Sequence, residues 1–416
     1  MTTIIIVGPS RRKGLFKYAT TPPFGLAELS ITLLFSSSHL SRINIHIMSP
    51  HNDAPSPEGS YTQRLNRLSI GTPSLTPGRS LYSTPDYSDS FESTSASSVD
   101  DTMHRSLTPG VYVPTVTFFH KETEDLDLPA IAKHAVRLVE AGVAGLTTQG
   151  SNGEAVHLTH NERKAVTRTT RRALDEAGFQ YTPIIVGCGA QSTRETIELC
   201  HEALQAGGDY ALVLPPSYYR PMFKSESLIE FFEDVATASP IPVLIYNFPG
   251  AVSGIDLDSD AIIELSKHRN IVGCKLTCGN TGKLNRIAAA TSASTPSDTG
   301  SGFMCLGGSA DFTLQTLIGG GSGTIGGLGN VAPKACVKVI NLYMAGNVKE
   351  AKKMQAVIAR GDWAAIKGGV VGTKSALETY FGYGGFARKP LPRPTPEEGQ
   401  KYAQDFKELV ALENSL

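Results

Sequence analysis

From Gly110 onward two hydrophobic patterns alternate along the chain. Short apolar runs of strand type cover Val111 to Phe118, Gly145 to Thr148, Ile184 to Gly187, Tyr210 to Leu214, Val243 to Tyr246, Ile271 to Lys275, Phe303 to Leu306 and Gly323 to Ile325. Between them lie segments whose apolar residues recur with a helical period, such as LPAIAKHAVRLVEAG, THNERKAVTRTTRRALDEAG, TRETIELCHEALQAG and SESLIEFFEDVATAS. Near-continuous apolar strands are those buried on both faces, and a helix between each pair demands parallel strands with right-handed crossovers. Eight such units predict an α/β fold of the closed (β/α)8 TIM-barrel type over residues 106–332, with a doubly wound open sheet as the structural alternative. Beyond about Pro333 the pattern is helical only, in VKEAKKMQAVIARGDWAAI, GTKSALETYFG and PEEGQKYAQDFKELVALEN, so residues 333–416 should form a C-terminal helical appendage.

The first 105 residues read differently. From His51 to Ser106 Ser, Thr, Pro, Gly and Asp dominate, with no sustained apolar period. Such composition cannot bury enough surface to offset chain entropy, so a disordered low-complexity extension is expected over residues 1–105. The first fifty residues are basic and acid-poor, with Arg11, Arg12, Lys13, Lys17 and Arg42 against Glu28. That composition fits an organelle transit peptide, and it fits equally a start of translation at Met48 or Met103; a cytoplasmic and a mitochondrial location both stay open.

Composition removes several function classes. The chain has 416 residues with a formal net charge of -1, so no excess of positive charge calls for nucleic acid. The longest apolar stretch, near Leu26 to Phe35, is too short for a membrane span. The 6 cysteines are scattered, and Cys274 with Cys278 makes a lone CxxxC, short of the four ligands a structural zinc needs. Gly321 to Gly326 matches GxGxxG but contains a strand instead of opening a helix after one, so dinucleotide binding is not expected.

The candidate chemistry falls at the C-terminal strand ends, where barrel active sites are built. Lys275 ends the sixth apolar run, where an amine is partly stripped of water, as a Schiff-base nucleophile requires. After the second run comes Gln149-Gly150-Ser151-Asn152-Gly153-Glu154, a turn suited to cradling a carboxylate; after the fourth, Pro215-Pro216-Ser217-Tyr218-Tyr219-Arg220-Pro221. The fifth run ends in Tyr246-Asn247-Phe248-Pro249. Singly, each has a plain structural role as turn glycine or packed aromatic. Together around one mouth they supply an amine, a phenol, a hydroxyl and an anion cradle, a set suited to imine chemistry on a 2-oxo acid.

The stretches QGSNGEAVHLTHNER, LPPSYYRP, IYNFPG and GCKLTCGN, in that order, resemble the motifs of the dihydrodipicolinate synthase / N-acetylneuraminate lyase family, the class I pyruvate-dependent aldolases, over about Gly110 to Leu409. The resemblance implies that Lys275 is the Schiff-base lysine and Tyr246 the proton-shuttling phenol. It implies that Ser151 relays protons between Tyr246 and a Tyr218 reaching in from a neighbouring subunit, and that the assembly is a homotetramer built as a dimer of dimers. Gly150, Ser151, Asn152, Gly308 and Ile325 would line the substrate site, Ile325 through its carbonyl. Two departures stand out. Ala251 occupies the place where the synthase branch usually has an arginine for the carboxylate of the aldehyde partner, and Ser151-Asn152 replaces two threonines. The GSNGE form resembles the 4-hydroxy-2-oxoglutarate aldolase branch.

The expected activity is therefore a carbon–carbon lyase that cleaves or forms a 4-hydroxy-2-oxo acid, giving pyruvate and an aldehyde. The imine nitrogen serves as electron sink, so neither metal nor organic cofactor is needed. The alternatives are a 2-keto-3-deoxy sugar acid aldolase, dihydrodipicolinate synthase, and a catalytically silent barrel that only binds 2-oxo acids.

Overall fold

The computed structural model describes residues 105–416 in full. Of the earlier chain it describes the backbone of Thr3–Val7 paired antiparallel with Lys13–Lys17, and of Leu29–Leu34 with Leu40–Ile45. The rest of the tract expected to be disordered lies outside the described residues.

Eight parallel strands close into a barrel: β1 (Gly110–Pro114), β2 (Gly145–Thr148), β3 (Ile184–Gly187), β4 (Tyr210–Val213), β5 (Val243–Asn247), β6 (Ile271–Leu276), β7 (Met304–Gly307) and β8 (Gly323–Ile325). Pairing of Gly323, Thr324 and Ile325 with Gly110, Val111 and Tyr112 joins the last strand to the first, which excludes the open sheet. Strand β1 is shorter than its apolar run. Pro114 has no N–H for the ladder, and Val116 beyond it donates to the Asn330 side chain.

The helices α1 (Leu128–Glu140), α2 (His160–Glu176), α3 (Thr193–Gln205), α4 (Ser225–Ala238), α5 (Ser259–Leu265), α6 (Thr281–Thr291), α7 (Thr313–Ile318) and α8 (Pro333–Met344) follow the strands in turn. Their starts are written locally. Asp127, Ser192, Asp258 and Asn280 each accept a bond from a first-turn N–H, and Thr159 forms a capping box with Glu162 before α2. No helix among the described residues is long and apolar enough to cross a membrane.

Three apolar regions result among the described residues. The largest lies between strands and helices; a second, with Tyr112, Ile185, Leu212, Leu244, Tyr246, Leu306 and Ile325 among its members, fills the barrel; a third gathers Phe118, Phe119, Ile131, Leu158 and Leu377. Strand register sorts inward-facing residues into layers drawn from alternate strands. Tyr112, Ile185, Leu244 and Leu306 make one layer, and Thr147, Leu212, Lys275 and Ile325 make the next toward the C-terminal ends. Pro114, Gly187, Tyr246 and Gly308 form the mouth.

Lys275 points inward because β6 carries a bulge. Ile271 pairs with Val243 but Gly273 pairs with Leu244, so Val272 is one residue too many. Strict alternation from the outward-packed Ile271 would turn Lys275 toward the helices. With the extra residue, Cys274 and Leu276 pack outward and Lys275 faces the barrel axis. Only glycine fits at 273, where a Cβ would stand 2.6 Å from the Met304 carbonyl oxygen.

After α8, the long α9 (Val348–Phe381) breaks at Gly369, where φ is 56°, and α10 (Pro396–Asn414) packs along it. This appendage reaches the barrel mouth through ions. Lys374 of α9, fully buried, meets Glu154 at 2.6 Å and also donates to the Phe386 carbonyl at 3.0 Å. The second Glu154 oxygen accepts the Arg388 N–H at 2.8 Å, and the Arg388 guanidinium grips Glu162 with bonds of 2.6 and 3.0 Å. Burial pushes the Lys374 ammonium down to about 8 although Glu154 opposes the shift. Removing one member of a buried pair strands the other, a cost of about 3–5 kcal/mol. Lys374→Met should therefore lower stability in urea unfolding by roughly that amount, and adding Glu154→Gln should restore part of it. Strict additivity of the two losses would show that the side chains share no energy.

Candidate active site

The β6 bulge delivers the Lys275 side chain, only 2% exposed, to the second inner layer. Its Nζ lies over the Tyr246 ring, 4.1 Å from the centroid. Tyr246 enters from the adjacent β5, where it is the register partner of Lys275, and its ring stacks on Phe248 with centroids 5.9 Å apart. The phenol is buried, which raises its pKa. The Lys275 charge and hydrogen bonds from Ser151, Thr277 and Lys275 outweigh that and hold it below its ordinary value of 10. A phenol in this state gives up its proton more readily than a solvated tyrosine.

The turn after β2 supplies the third part. Gln149 and Glu154 bracket it with positive φ of 51° and 54°, and Gly150 O accepts from the Gly153 and Ala155 N–H groups. Among the described residues the Ser151 and Asn152 N–H groups donate to nothing, so two consecutive donors stand free at the mouth. Ser151 Oγ lies 3.3 Å from the Tyr246 hydroxyl. The left-handed conformation of Glu154 is uncommon for a side chain of its size; its buried ion pair with Lys374 holds it there. The Lys374 pair therefore fixes the shape of the donor turn from the far end of the chain.

Gly308 and Gly187 let neighbouring strand ends approach closely in the layer above Lys275. A Cβ at Gly308 would lie 2.0 Å from Thr277 Oγ1, and one at Gly187 2.0 Å from the Gln149 carbonyl oxygen. Ile325 is fully buried in the layer of Lys275, and Asn152 packs against Gly327. Tyr218 stands elsewhere. It projects from the β4–α4 loop, 78% exposed and edge-on to Tyr219, and within this single chain it does not extend the Ser151–Tyr246 pair. Ala251 lies in a short helix after β5.

Three contributors escaped the sequence reading. Thr277 reaches both Tyr246 and the Gly308 carbonyl, the Glu154–Lys374–Arg388 network shapes the turn, and the Val272 bulge aims the lysine. The small-residue setting GGVVGTKSALE around Lys374 was the available signal of a buried lysine. One metal-type grouping, His160 with Glu198 and Glu202, sits on α2 and α3, away from the mouth, and Glu202 is already bonded to Lys164.

The model of the dihydrodipicolinate synthetase family matches residues 108–409. A protein of Emericella nidulans named "Probable 4-hydroxy-2-oxoglutarate aldolase, mitochondrial" is 56% identical over 313 residues, 75% of this chain and 98% of that one. The L-threo-3-deoxy-hexylosonate aldolase of Hypocrea jecorina is 55% identical, covering 75% of this chain and 99% of its own length. Among solved structures, a dihydrodipicolinate synthase family protein from Coccidioides immitis aligns with a TM-score of 0.66 at 36% identity, over 75% of this chain and 99% of that one. YagE of Escherichia coli, solved in complex with pyruvate, aligns with a TM-score of 0.66 at 30% identity, over 73% of this chain and 99% of that one. By motif order, barrel architecture and these matches alike, the chain belongs to the dihydrodipicolinate synthetase family.

Proposed function

We propose that the protein is a Schiff-base aldolase cleaving a 4-hydroxy-2-oxo acid to pyruvate and an aldehyde, reversibly, with 4-hydroxy-2-oxoglutarate as the leading substrate. The observation that carries this reading is the buried Lys275 amine over the ring of a Tyr246 phenol bonded to Ser151, beside two free N–H donors. The Lys275 amine attacks C2 of the substrate, and the carbinolamine loses water to give the imine. Tyr246 removes the 4-hydroxyl proton, the C3–C4 electron pair moves into the imine, and the aldehyde departs from an enamine. Protonation at C3 and hydrolysis of the imine release pyruvate and free the lysine. Ser151 and Asn152 hold the substrate carboxylate with their N–H groups, Gly150, Gly308 and Ile325 shape the wall, and Ser151 passes protons to and from Tyr246.

A second reading, cleavage of a 2-keto-3-deoxy sugar acid, is supported by two relatives named L-threo-3-deoxy-hexylosonate aldolase, at 55% and 51% identity. Both substrates present the same 4-hydroxy-2-oxo head to Lys275 and differ in the departing aldehyde. Ala251 speaks against the acceptor of the synthase reaction, for it offers no charge to a second carboxylate. A panel of 4-hydroxy-2-oxo acids assayed for released pyruvate separates these readings. The names of relatives from Emericella nidulans and Coccidioides immitis support a mitochondrial site of action.

Borohydride reduction with pyruvate should add a pyruvate-derived mass to the peptide containing Lys275. Labelling of Lys283 or Lys374, both buried in ion pairs, would refute the assignment. Tyr246→Phe keeps the ring under Lys275 and removes the phenol, so turnover should fall by about 10²- to 10⁴-fold. In the cleavage direction the phenolate is the base. The wild-type rate should rise with pH toward a phenol pKa below 10, and that rising limb should vanish in the variant. For Tyr218 we propose a place in the proton relay of a neighbouring subunit within a homotetramer; a fully active monomer in sedimentation would remove it from the relay.

A further inference from the structure

The inner face of the barrel holds a hydroxyl that no protein group answers. Among the described residues four buried side-chain atoms have no hydrogen-bond partner: Arg137 Nε, Thr147 Oγ1, Asp311 Oδ1 and Thr316 Oγ1. Arg137 and Thr316 belong to the outer helices α1 and α7, and Asp311 to the short helix after β7. Thr147 faces the barrel axis instead. Its neighbour Thr148 turns outward to bond Thr167 of α2 at 3.1 Å, and Gly145, two residues back, faces the Tyr112 ring.

Register puts Thr147 in the same inner layer as Lys275, Leu212 and Ile325. Strands β2 and β6 are four places apart in the closed order, so Thr147 and Lys275 stand on opposite walls at one height. Thr147 is also on the strand that leads into the turn carrying the free Ser151 and Asn152 N–H groups. A 2-oxo acid bound through C2 to Lys275, its carboxylate turned toward that end of β2, crosses the barrel above Thr147. An unpaired hydroxyl buried among apolar residues is unfavourable, and a valine of the same shape would avoid that cost.

We propose that Thr147 is a further substrate-binding residue, its hydroxyl donating a hydrogen bond to the C1 carboxylate of the 2-oxo acid held by Lys275. The inference rests on the Schiff-base reading above. The carboxylate then takes donors from one strand: the Ser151 and Asn152 N–H groups from above, and Thr147 from below. A hydroxyl bonded to a carboxylate is charge-assisted, which makes it worth more than a neutral bond at the same place.

The test compares Thr147→Val and Thr147→Ser with the wild type, using the pyruvate concentration that gives half-maximal borohydride trapping, together with the Tm. Valine keeps the shape and removes an unpaired hydroxyl, so the Tm should hold or rise while half-trapping moves to roughly tenfold higher pyruvate or more. Serine restores the donor and should stay within about threefold of the wild type. Trapping of the valine variant at wild-type pyruvate concentrations overturns the proposal. So does a fall in Tm that accompanies weaker trapping, or a serine variant as weak as valine, since either assigns Thr147 to packing. Absence of trapping in the wild type overturns the Schiff-base reading and this inference with it, a pattern distinct from normal trapping in all three proteins.

Discussion

A lysine amine inside a packed barrel is the constraint on which the rest of the structure depends. An ammonium there has lost its water, and apart from the Thr147 hydroxyl its surroundings in the interior layers are largely apolar: Leu212 and Ile325 beside it, Leu244 and Leu306 below. Three things make the placement tolerable. The face of Tyr246 meets the amine, the phenol and Ser151 form a short polar chain to the mouth, and glycines at 187 and 308 let the Gln149 carbonyl and the Thr277 hydroxyl close in within the layer above. The inward direction comes from one surplus residue in β6. If Val272 were paired in strict alternation instead of bulging out of the ladder, the side chains beyond it would exchange faces, and Cys274 would take the place of the amine in the barrel.

The remainder of the chain acts on this centre by holding loops still. The turn after β2 takes up two left-handed residues that a free peptide would seldom adopt, and the C-terminal helices fix it through Lys374 and Arg388. The loop after β7 is held from the same side, where Asp362 of α9 accepts bonds from Ser309 Oγ and the Asp311 N–H at 2.5 and 3.0 Å. Burial and the neighbouring Asp311 carboxylate push Asp362 up to about 6, so this anchor is itself costly in its charged form. The appendage is thus a brace for the mouth, tied by buried charge to the loops after β2 and β7.

Much of this was legible in the sequence because it is periodic or local. Strands β2, β3 and β8 begin and end where the apolar runs do, and caps such as Thr159 with Glu162 mark helix starts within four residues. Lys275 and Tyr246 were legible as strand-end residues of unusual type. The bulge was not. IVGCK reads as a plain buried strand, and nothing local announces that Val272 will be unpaired, because register is decided by β5 and β7 on either side. The Lys374–Glu154 pair was hidden for a similar reason, since 220 residues separate its members. Thr147 was hidden by its ordinariness, a threonine in a strand, which becomes informative only when the barrel closes and its hydroxyl is found alone.

The same division between rigid strands and adaptable loops explains why the reaction is easier to read than the aldehyde. Every group assigned to the 2-oxo-acid head in the proposed reaction sits on a strand or within five residues of its end: Lys275 on β6, Tyr246 on β5, Ser151 and Asn152 after β2. These positions are set by the barrel ladder, and their geometry follows from alternation once the bulge is known. In the proposed reaction the tail of the substrate meets instead the β4–α4 and β5–α5 loops, where Tyr218 and Tyr219 are exposed and Ala251 offers no charge. Without a charge at 251, selectivity for the departing aldehyde has to come from whatever covers those loops. Tyr218 is 78% exposed in one chain, and in the proposed assembly it becomes a wall of the site when a second chain packs against it. On the proposed reading, choice of aldehyde and assembly are then one physical question, while the Lys275 amine and the Tyr246 ring already meet within a single barrel.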